Sequence, residues 1–234
     1  MVVMLVLLTI VVFVSIELAL DYKSRGQESE AVSSVKPEIV REVNAAIEEL
    51  ETVDEPEGLY YNPAHTWVFL EMNGKVKVGL DQFFQRIVGK IDKIEVPKIG
   101  EDLQEDSPAV TIQSRGRRVK ARIPVAGRVE AVNETVLKDP EILLTDQYKD
   151  GWILRLKPKN FLQSSRSLIL GSKAKGWLAD EMRRMRDLLT EQVSTEDFTL
   201  QTMCDGGIPV MGISSIVDDR HWKMIKKEFF GDES

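Results

Sequence analysis

The chain has 234 residues, a formal net charge of −7, 43% hydrophobic residues and 29% charged residues. That profile belongs to packed globular chains and excludes wholesale disorder, and the acidic balance excludes a strongly basic nucleic-acid binder. One cysteine, Cys204, cannot form an internal disulfide, and with two histidines it leaves too few ligands for a tetrahedral metal site of nitrogen and sulfur.

Residues 1–20 hold one charge, Glu17, and little else polar beyond Thr9 and Ser15. As a helix they span about 30 Å, one hydrocarbon core. No Lys or Arg precedes the run, and no A-x-A-like cleavage site follows it. It is also longer than the apolar region of a signal peptide, about 7–15 residues. The reading is an uncleaved, single-pass transmembrane anchor. Lys23 and Arg25 follow the span, so the positive-inside rule puts the remaining chain on the cytoplasmic side of the cytoplasmic membrane.

Residues 21–36 are polar and without period, a tether. Pro37 opens an amphipathic helix with Ile39, Val43, Ile47 and Leu50 on its stripe, and linker plus helix make a unit over 21–59. Short strands are then expected over 66–71 and 75–79 around Asn73-Gly74, a hairpin signal. A helix over 80–88 closes at Gly89, and a strand holding Ile91, Ile94 and Val96 stops at Pro97. Further strands are expected over 110–112, 119–123 and 127–132, and from Trp152 to Leu156. Close spacing of short strands implies a small sandwich or barrel with Trp67 and Trp152 in its core. A helix capped by Ser172 follows, with Ala174, Trp177, Leu178, Met182, Met185, Leu188 and Leu189 on one stripe. An extension over 191–234 ends in a helix from Asp218 to Phe230. Within it, Cys204-Asp205-Gly206-Gly207 reads as a turn with a buried thiol, since no histidine lies nearby. His65 and His221 read as structural residues.

The ordered set His65-Thr66-Trp67-Val68, Val78-Gly79-Leu80, Val96-Pro97-x-x-Gly100, Pro124-Val125-Ala126-Gly127, Val132-Asn133-Glu134, Asp139-Pro140-Glu141 and Asp146-x-Tyr148-x-x-Gly151-Trp152 carries a resemblance. The chain resembles the H protein of the glycine cleavage system, over residues 60 to about 186. The resemblance implies a mainly β fold, the barrel-sandwich hybrid of lipoyl and biotinyl carriers, with flanking helices. Here that domain covers 60–190, with the anchor at 1–20 added in front. The resemblance also implies a non-enzyme that carries a group between enzymes on a lipoyl lysine at a hairpin tip.

Counted back from Pro124-Val125-Ala126-Gly127, the position of that lysine is Gly116, which has no side chain to acylate. Lys120 is the nearest lysine, four residues on, and using it would slip the hairpin register. Lipoate is therefore not expected, and no other cofactor or metal is. Between Asp106 and Glu130 stand six basic residues and no acidic one. Arg115, Arg117, Arg118, Lys120 and Arg122 read either as a solvated hairpin or as a docking surface for an acidic partner or an anionic membrane. Nucleic acid fits poorly, since no aromatic residue interleaves with these cations. The expectation is a membrane-anchored, non-lipoylated adaptor acting by protein–protein docking, its partner in a redox or respiratory assembly. The alternative is a working lipoyl carrier of a glycine cleavage-type system, modified at Lys120 or elsewhere.

Overall fold

Alternating burial marks the strands of this chain: Val110, Ile112 and Ser114 point inward while Thr111 and Gln113 stay half-exposed. The computed structural model describes residues 56–190, 212–215 and 217–231, together with Arg41, Asn44 and Ala45, which are helical. The expected anchor at 1–20, the tether and Cys204 lie outside the described residues. Among the described residues no helix is long and apolar enough to cross a membrane.

The fold is mainly β, with two antiparallel sheets. In chain order its strands are β1 (Leu59–Asn62), β2 (Thr66–Leu70), β3 (Val76–Leu80), β4 (Lys93–Glu95), β5 (Asp102–Leu103), β6 (Pro108–Ser114), β7 (Arg117–Arg122), β8 (Gly127–Val132), β9 (Trp152–Pro158) and β10 (Ile169–Leu170). The larger sheet has the order β10-β1-β2-β3-β9-β8-β5, and the smaller one has β4-β6-β7. Five helices bear on the packing or the strand connections: α1 (Gln82–Val88), α2 (Glu134–Lys138), α3 (Ile142–Thr145), α4 (Phe161–Ser164) and α5 (Gly171–Thr190). A sixth, α6 (Asp219–Phe230), ends the described chain.

The β2–β3 hairpin forms as its Asn-Gly signal implies, but with a longer loop. Gly74 N donates to Glu71 O at 2.9 Å, and of the pair only Gly74 has a positive φ, 78°. A type I turn with one left-handed glycine thus replaces the expected two-residue turn. Asp81 starts α1 because its carboxylate accepts the Phe84 N–H at 2.9 Å, and Gly89 closes it. Helix α5 begins at Gly171, so Ser172 lies inside its first turn and not before it. Its stripe buries Ala174, Leu178, Met182, Met185 and Leu189, with Trp177 and Leu188 partly covered.

Trp67, Tyr61, Phe83 and Phe84 are fully buried and Trp152 is half-buried. Each fully buried aromatic contributes about 1.5–3 kcal/mol of transfer free energy. Helix α6 adds Trp222, Ile225, Phe229 and Phe230 to that same core, with Phe230 4.8 Å from the Phe84 ring and Phe229 5.2 Å from that of Phe83. The C-terminal segment is therefore a working part of the fold.

Candidate functional site

Strands β6 and β7 meet in the hairpin that carries the predicted residues. Ser114 pairs with Arg117, so Arg115 and Gly116 alone make the connection. Their φ angles are 49° and 80°, both positive, as a type I′ turn requires. Glycine adopts that conformation freely, whereas an arginine there is strained. A Cβ at Gly116 would meet nothing within 4 Å, so the backbone angle, not a neighbour, favours glycine. Replacing Arg115 with Asn, which tolerates positive φ, should raise stability by about 0.5–1 kcal/mol. A denaturant midpoint equal to or below the wild-type value would contradict this.

Strand alternation divides the basic residues. Arg118 is exposed and Lys120 half-exposed on the outer face, and Lys120 stands in mid-strand opposite Thr111. Beside them the Glu95 carboxylate accepts from Lys93 Nζ at 2.8 Å and Gln113 Nε2 at 3.1 Å. The Lys93 hydrogen bond and charge hold the Glu95 carboxyl below its ordinary range, and the charge of Arg118 adds to this. At the tip, the Arg115 N–H donates to Asp92 at 2.5 Å.

Arg117 points the other way, with the buried Val119 and Ala121. Its guanidinium donates to the Ser214 carbonyl, to the Val217 carbonyl at 2.8 Å and to Asp219 at 3.1 Å. The Trp222 ring lies 5.6 Å from it. Arg122, at the other end of β7, donates to Phe230 O at 3.3 Å, Gly231 O at 2.5 Å and Asp106 O at 2.7 Å. Of the five predicted cations, Arg117 lies on the inner side with Val119 and Ala121, and Arg122 reaches the C-terminal segment. Arg117 and Arg122 hold the C-terminal segment, because that segment offers carbonyls within reach of both. Arg115, Arg118 and Lys120 remain on the outward side.

The end of α1 closes the inner face. Val88 O receives the Ser214 hydroxyl at 2.8 Å and lies 3.1 Å from that of Ser114, which also reaches Lys90 O at 2.6 Å. Gly212 packs so closely on Gly89 that a Cβ would collide with its backbone. Ser214, Val217, Asp219 and Trp222 escaped sequence reasoning. The alternation that puts Arg117 with Val119 and Ala121 was the available signal.

His65 is fully buried, 3.0 Å from the Asp81 carboxylate and stacked on Phe83 at 3.8 Å between centroids. His221 is buried 2.8 Å from Asp218, the cap of α6. Among the described residues no group of three His, Cys, Asp or Glu side chains could hold a metal ion.

The family model of the glycine cleavage H-protein matches residues 59–181, just over half the chain. The chain belongs to the glycine cleavage H-protein family. The glycine cleavage system H protein of Chromobacterium violaceum is 38% identical over 105 residues, 45% of this chain and 82% of that protein. That of Psychrobacter sp. is 35% identical over 105 residues, 45% of this chain and 83% of that protein. Among solved structures, the Mycobacterium marinum H protein matches with a TM-score of 0.47 and 22% identity, over 52% of this chain and 97% of that one. In this H-protein-like chain the segment over 212–231 lies beyond the matched residues, yet it grips the hairpin at both ends of β7.

Proposed function

We propose that the chain is a membrane-anchored, non-lipoylated H-protein-like adaptor on the cytoplasmic face, acting by docking and not by catalysis. The observation that carries the reading is the hairpin tip, where Arg115 and Gly116 stand and no lysine does. A lipoyl arm needs an amine projecting from an exposed turn, and Gly116 has none to offer. The docking role falls to Arg115, Arg118 and Lys120 on the tip and outer face. Their chemistry suits an acidic protein surface. The apolar run at 1–20 with Lys23 and Arg25 supports the anchor, and a partner in a redox or respiratory assembly follows only from anchor plus carrier ancestry.

A second reading, a working lipoyl carrier modified at Lys120 or elsewhere, draws support from relatives named glycine cleavage system H protein, among them one 38% identical. Lys120 Nζ would then have to present the arm from mid-strand, away from the turn. Intact mass separates the two readings.

The anchor has its own test. The full chain should stay in the membrane fraction after alkaline carbonate extraction. Recovery of the full-length chain in the soluble fraction, or of a mature chain lacking the first 20 residues, would contradict it.

A further inference from the structure

Helix α6 meets the rest of the protein on three sides. His221, Trp222, Ile225 and Phe229 enter the core. Asp219 turns to β7, where Arg117 Nη2 lies 3.1 Å away, and Glu228 turns to α5, where Arg184 Nη2 lies 2.6 Å away. The fourth side faces solvent and carries Arg220, Lys223 and Lys227, all exposed. Their spacing of three and four residues puts them on one face of the helix. Among the described residues none of the three pairs with an acid. The carboxylates nearest in sequence are taken, Asp218 by the cap and His221, Asp219 by Arg117 and Glu228 by Arg184.

The N-terminal part of the chain arrives beside this helix. Two residues beyond Arg184, Arg186 Nη1 stands 3.5 Å from Oδ1 of Asn44, one of the first described residues. The polar tether at 21–36 joins the apolar run at 1–20 to the segment that holds Asn44. A flexible tether of that length has a root-mean-square reach of about 22 Å. A domain held so close to a bilayer meets it at high effective concentration, and weak contacts then decide which side it presents.

We propose that the outward face of α6 is a lipid-facing surface, on which Arg220, Lys223 and Lys227 meet the anionic headgroups of the leaflet beside the anchor and fix the orientation of the domain. The inference rests on the anchor in the proposed function, and it leaves Arg115, Arg118 and Lys120 to the protein partner. The chain as a whole carries a charge of −7, so its surface at large is repelled by an anionic leaflet and a local basic face is the side that can approach. Each Lys or Arg near such a leaflet favours the bound orientation about fivefold. The contact is electrostatic alone. The apolar side of α6 is buried in the protein core, so, unlike a free amphipathic helix, it has nothing to insert among acyl chains.

The test uses the full chain reconstituted into vesicles of phosphatidylcholine, with or without about 30% phosphatidylglycerol. A membrane-impermeant amine reagent labels the accessible lysines, and peptide mass spectrometry reads each site. Lys223 and Lys227 should label several-fold less in the anionic vesicles, while Lys157, exposed on β9 of the other sheet, should label equally in both. Salt at about 0.5 M should restore the labelling. In R220Q/K223Q, two exposed positions, Lys227 should lose most of its protection. Equal labelling of Lys223 and Lys227 in the two vesicle types, or protection that survives the salt, would overturn the lipid-facing surface. Alkaline carbonate on the same vesicles reports on the anchor separately. Retained chain without protection would overturn the surface and leave the anchor standing; protected lysines on extractable chain would do the reverse.

Discussion

Replacing Phe230 with alanine is expected to lower stability by about 3–5 kcal/mol, the range for a buried aromatic truncated to alanine. Phe230 is 1% exposed and its ring packs against Phe84 at 4.8 Å and edge-on to His65 at 6.0 Å. The effect is large because the residue sits in the same buried core as Phe83 and Phe84. Phe83 and Phe84 face α6, and without its aromatic pair they would lose that cover. Urea denaturation of the full chain and of F230A gives the difference directly. A loss under about 1 kcal/mol, the scale of a surface substitution, would mean that the C-terminal segment merely rests on the domain.

Asp81→Ala is expected to cost a similar amount, about 3–5 kcal/mol, because one carboxylate serves two buried partners. Its Oδ1 caps α1 through the Phe84 N–H at 2.9 Å, and its Oδ2 meets His65 Nδ1 at 3.0 Å. Both side chains are fully buried. Alanine removes the cap, worth about 1 kcal/mol, and leaves His65 without its partner in an aromatic cage of Phe83 and Trp177. At about 2–4 °C per kcal/mol the melting temperature should fall by about 6–20 °C. Asn keeps the Oδ1 acceptor for the Phe84 N–H and places an Nδ2 donor beside His65 Nδ1, so it should cost less than half as much. Equal losses in the two variants would show that negative charge, and not hydrogen-bond geometry, holds this corner.

Much of the architecture was legible where the signal is local. Strand β8 occupies Gly127–Val132, the span expected for it, and Asp218 caps a helix that runs to Phe230. The order of motifs that carries the family resemblance agrees with the matched residues, 59–181. What was not legible depends on distant partners. Strand β10 is two residues long and exists because Leu170 and Ile169 find Tyr60 and Tyr61 across the chain. The grip of Arg122 on Gly231 joins residues 109 positions apart, beyond any periodicity. Arg117 is the instructive case. Read as part of a basic run, it looks like an exposed cation; read by parity with Val119 and Ala121, it faces inward. The turn chemistry also moved: Asn73-Gly74 carries one left-handed residue, and Arg115-Gly116 carries two.

Gly116 sets the central claim, because an arm cannot be attached where no amine exists. The most direct test is the intact mass of the full chain, produced in a cell that lipoylates its own H protein and followed by peptide mapping of β6 and β7. The account predicts the unmodified mass and an unmodified peptide around Gly116 and Lys120. A lipoyl adduct on Lys120 would contradict it and make the chain a working carrier.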